Sequence, residues 1–77
     1  MQANKANVVV DLKRTPDRDR IGELEIELDG INGVSRAQAS PRSSRLVLVD
    51  YDPEVIDSQR ILGAVLRRGY DARLIGM

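Results

Sequence analysis

The side chains able to do chemistry crowd into one short stretch. Asp17 and Asp19 alternate with Arg18 and Arg20, which puts two carboxylates and two guanidiniums in four consecutive residues. Carboxylates suit an oxygen-preferring cation, but such ions usually take six or more oxygen ligands. Residues two apart also leave a helix in different directions, and the neighbouring arginines oppose a cation. Asp17 and Asp19 are therefore weak metal-ligand candidates. Glu23, Glu25 and Glu27 follow, with Glu23 and Glu27 on one side of a helix. An acid–base pair needs a desolvated cleft, so these read as a solvated face with negative charge near a helix N-terminus. Ser43 and Ser44 have no histidine base to activate them, because the chain contains no histidine. Cysteine is absent as well. Thiolate sites for zinc, copper(I) or iron–sulfur clusters are excluded, as is a disulfide framework. No enzyme and no cofactor are expected.

Charge and composition narrow the partners further. Twelve basic residues balance 12 acidic ones, so no net field steers the chain to nucleic acid. Tyr51 and Tyr70 are its only aromatics, which leaves no base-stacking platform. Residues 1–7 are polar, no apolar run approaches a membrane span, and a cytoplasmic protein without membrane insertion is expected.

These residues need elements to position them. Residues 1–7 read as a disordered tail and 8–77 as one domain. Val8, Val10 and Leu12 alternate with Val9, Asp11 and Lys13, a strand pattern. Thr15 suits an N-cap and Pro16 a first helical position. Ile21, Leu24, Leu28 and Ile31 then mark one helical face, with Ile26 off it and Gly30 and Gly33 as the stop. A weak strand runs over 34–39, a turn follows, and 45–51 is the strongest strand. Asp57 or Ser58 caps a second helix whose buried stripe is Ile61, Leu62, Val65 and Leu66, ended by Gly69. Residues 70–75 supply a last strand. The order β-α-β-β-α-β predicts an α+β ferredoxin-like sandwich, with two helices on one face of a four-stranded antiparallel sheet.

Several of these residues, in this order, resemble the heavy-metal-associated (HMA) domain of copper chaperones and of P-type ATPase N-terminal arms. They are the strand ending at Leu12, the helix Ile21…Leu24…Leu28, and Ile31-Asn32-Gly33-Val34. The set continues through Val47-Leu48-Val49-Asp50-Tyr51-Asp52-Pro53 to Ile56, Ile61, Val65 and Gly69-Tyr70-Asp71-Ala72. The resemblance implies a metal loop, Gly-Met-x-Cys-x-x-Cys, between the first strand and first helix. Arg14 and Thr15 stand for its glycine and methionine, and Asp17 and Arg20 for its cysteines. The resemblance thus implies the fold without the copper site, since a soft monovalent ion needs thiolates. It also places Tyr70 beside that loop.

The functional expectation is a non-catalytic, HMA-like interaction or regulatory module linked to metal transport. Its partner is a related HMA domain, a metal transporter or a second copy of itself. Arg18, Arg20 and Tyr70 are the expected contacts at the loop edge, with Arg20 a permanent cation where the family carries its ion. Val9, Leu46 and Leu48 are the expected contacts on the sheet face away from the helices, suited to a homodimer. Two alternatives remain at this point: a metal-ion carrier using Asp17 and Asp19, and an ACT-like domain sensing a small ligand.

Overall fold

The computed structural model describes residues 5–75. Along the chain it forms β1 (Ala6–Leu12), α1 (Arg18–Asp29), β2 (Val34–Ala39), β3 (Leu46–Tyr51), α2 (Ser58–Arg67) and β4 (Ala72–Ile75). The strands make one antiparallel sheet in the order β2-β3-β1-β4, the ferredoxin-like arrangement that the sequence pattern predicts. The expected tail is partly strand, because Ala6 pairs with Tyr51 and Asn7 with Asp50; residues 1–4 lie outside the described residues.

Alternation along β1 and β3 decides which face is covered. Val8, Val10, Val47 and Val49 are fully buried, and the helices close over them with Leu24, Leu28, Ile61 and Val65. Each such side chain contributes roughly 1.5–3 kcal/mol by leaving water, so this layer dominates the stability of a small domain. Ile26, off the helical stripe, is 75% exposed, as its spacing requires. Leu66 is a correction: expected in the buried stripe of α2, it is an exposed residue. The buried contact of α2 is the narrow pair Ile61 and Val65, one turn apart, which leaves Leu66 outside.

Two turns need glycine. Gly33 has φ +103°, and a Cβ there would come within 2.7 Å of Ile56 Cγ2 and 2.9 Å of Val55 Cγ1. Its carbonyl accepts from Asp52 N at 2.7 Å, binding the α1–β2 turn to the end of β3. Gly69, at φ +93°, ends α2 in the left-handed conformation. Gly30, by contrast, is the C-cap of α1 at φ −82° and exploits no such freedom.

Asp57 caps α2 as expected, its Oδ1 accepting from Arg60 N at 2.9 Å. Thr15 does not cap α1. The helix begins at Arg18 with Asp17 as its N-cap, in an extended conformation and without a side-chain capping bond. The loop is drawn out because Lys13 N donates to Asp71 O at 2.9 Å, tethering it to the segment before β4. Two of the three glutamates are also not merely solvated. Glu25 Oε2 accepts from Ala39 N at 2.6 Å, satisfying a backbone donor on the edge strand β2. Glu27 pairs with Arg68 across the two helices at 3.2 Å.

Candidate functional site

The β1–α1 loop and the segment entering β4 meet at one end of the sheet. Between them lies a cavity of about 450 Å³ lined by Arg14, Thr15, Pro16, Asp17, Arg20, Gly69, Tyr70 and Asp71. Arg20, in the first turn of α1, reaches back so that its guanidinium carbon stands 5.6 Å from the centre of the Tyr70 ring. The Tyr70 hydroxyl donates to the Arg20 carbonyl at 3.3 Å. The two contacts hold the cation on the ring face instead of leaving it loose in water, worth about 0.5–1 kcal/mol at an exposed position. The i,i+3 pairing of Arg20 with Glu23 that the helix permits is not what forms.

Asp17, Arg20 and Tyr70 are thus brought together, while Arg18 and Asp19 lie off the cavity wall. Asp17 and Asp19 therefore do not share one site. Among the described residues no group of three or more histidine, cysteine, aspartate or glutamate side chains is placed to hold a metal. The donors that line this cavity are guanidinium, hydroxyl and carboxylate, a set that does not fit a soft copper ion. Two arginines and two aspartates line the cavity, a balanced polar surface suited to charged groups on a partner.

The second candidate surface is the sheet face turned away from the helices. Val9 lies opposite Leu48 on one side and Ile75 on the other, so the three form a row across β3, β1 and β4. Leu48 is 45% exposed and Ile75 36%, with Val9 and Leu46 half-buried. The apolar strip expected from alternation is real and continuous. Alternation alone does not show what flanks it: Asp11, on the same face as Val9, is only 7% exposed and lies between Arg45 and Arg73. The available signal was the pairing itself, which sets Arg73 directly opposite Asp11.

No family model matches the chain, and no curated protein matches it significantly. Solved structures do. A copper binding domain from HMA7, a P-type ATPase, matches with a TM-score of 0.80 at 18% identity, over 91% of this chain and 93% of that one. Oxidized MerP from Ralstonia metallidurans CH34 matches with a TM-score of 0.83 at 15% identity, over 95% and 100%. The N-terminal soluble domains of Bacillus subtilis CopA match with a TM-score of 0.77 at 18% identity, over 91% of this chain and 47% of that chain. The chain shares its fold with these domains.

Proposed function

We propose that this chain is a non-catalytic, HMA-like domain without a soft-metal site that works in the cytoplasm by contact with a protein partner. The observation that carries this reading is the Arg20 guanidinium held against Tyr70 at the rim of the loop cavity. The resemblance puts the family's metal ion at this loop, so a fixed side-chain charge stands where cargo charge would be. A partner evolved to meet a cationic loop still finds one. That partner is a related HMA domain or the soluble arm of a metal transporter, with Arg18 at the outer edge of the contact. The apolar strip of half-buried Val9 and Leu46 with exposed Leu48 offers a second contact, through which two copies can pair face to face.

The test is isothermal titration of the metal-free protein against purified HMA domains of transporters from the same organism. Binding without added metal is expected, and Arg20→Ala should weaken it about tenfold, as loss of one charge-assisted contact does. Unchanged affinity in Arg20→Ala would remove the loop edge from the interface.

A further inference from the structure

Asp11 is the only buried polar or charged residue among the described ones. It lies on the sheet face away from the helices, and two guanidiniums hold its carboxylate. Arg45 Nε is 3.2 Å from Oδ1, and Arg73 Nε is 3.2 Å from Oδ2. Strand pairing builds this cluster. Arg73 on β4 is in register with Asp11, and Arg45 precedes Leu46, the residue opposite Asp11 on β3. The Arg45 carbonyl is itself fixed by Leu12 N at 2.8 Å. With Lys13 these residues wall a depression of about 270 Å³.

Two features distinguish it from an ordinary surface ion pair. Three cationic side chains line the depression with one carboxylate, an excess of two positive charges in a chain with no net charge. Arg73 also donates Nε to Asp11 Oδ2, while Arg45 Nε meets Oδ1 as an ion pair without a hydrogen bond. Their terminal nitrogens are left without partners among the described residues, on side chains 49% and 69% exposed. Long side chains held in this way have already lost much of the rotamer freedom that ligand binding would otherwise cost.

We infer that Arg45 and Arg73, oriented by Asp11, form with the neighbouring Lys13 a binding site for a phosphoryl dianion, either inorganic phosphate or a phosphomonoester. The charge excess matches a dianion better than a single carboxylate. Paired guanidinium forks match phosphate oxygens in geometry, and a lysine adds a point charge. The site is separate from the loop cavity and stands whether or not Arg20 meets a partner.

The experiment is an NMR titration of the whole chain at constant ionic strength, following backbone amides and arginine Nε–H signals. The probes are inorganic phosphate, phenyl phosphate and acetate. Saturable shifts centred on Asp11, Lys13, Arg45 and Arg73 are expected with both phosphates, at least about tenfold tighter than with acetate. Tighter binding of phenyl phosphate assigns an ester, and equal binding assigns the free ion. Arg45→Ala and Arg73→Ala should each weaken binding about tenfold, while Arg60→Ala on α2 leaves it unchanged. Arg45→Lys and Arg73→Lys keep a charge over Asp11, preserve the fold, and should still lose affinity because the fork is gone. Shifts spread over every basic patch, or lysine variants that bind as the parent does, would overturn the site.

Discussion

Arg20 and Asp11 show how one side chain acquires its role from what faces it. An arginine on the first turn of a helix is ordinarily solvated, and Arg20 is set apart by the ring of Tyr70, which is fifty residues away in sequence. Asp11 is an outward strand residue by alternation, yet Arg45, just before β3, and Arg73, on β4, shield it from water. Neither arrangement is visible until the strands are paired. Gly33 was more legible, because a glycine after a helical stripe marks a stop. What the sequence does not show is that the stop is enforced by Val55 and Ile56 lying against it. Gly33→Ala should cost about 1–3 kcal/mol from the positive φ, with crowding added. Urea denaturation reads this as a lower midpoint, and an unchanged midpoint would mean the turn has room that the geometry denies.

Helices and strands were the most legible scale. The alternation of Val8, Val10 and Leu12, the Leu24–Leu28 spacing and the Asp57 cap each express a local periodicity or a local bond. Misplacements occurred where tertiary ties override local preference. The start of α1 moved from Thr15 to Asp17 because Lys13 is tethered to Asp71, and Leu66 turned outward because only a narrow stripe of α2 meets the core. Glu25 belongs here too, since a glutamate on an acidic helix gives no hint that it closes the free edge of β2. Removing that acceptor leaves the partly buried Ala39 N–H unpaired. Glu25→Ala should therefore lose about 1 kcal/mol more than Glu25→Gln, which keeps an acceptor. Amide exchange at Ala39 should quicken in the alanine variant; equal exchange in both would show that the bond adds nothing.

At the scale of the whole molecule, the fold follows from apolar spacing and the order of elements, and structures at 15–18% identity share it. Function is less legible because the fold supplies a loop position and the residues there decide what it holds. The double variant Asp17→Cys, Arg20→Cys should gain one copper(I) per chain, since two thiolates would then stand at the spacing the soft ion requires. A folded double variant that takes up no copper would show that the loop geometry differs from the family's. The sheet face makes a second prediction at this scale: Leu48→Lys puts a charge on the most exposed residue of the apolar strip and should convert a dimer to a monomer.

The proposed function requires that the protein work without a metal ion. Native mass spectrometry of the purified chain, incubated with copper(I) and with divalent cations, addresses it most directly because mass gives metal stoichiometry and oligomeric state together. Metal-free species are expected under all conditions, in a dimer that Leu48→Lys dissociates. A monomer that retains one ion per chain, and releases it on Asp17→Ala, would contradict it and make the chain a carrier.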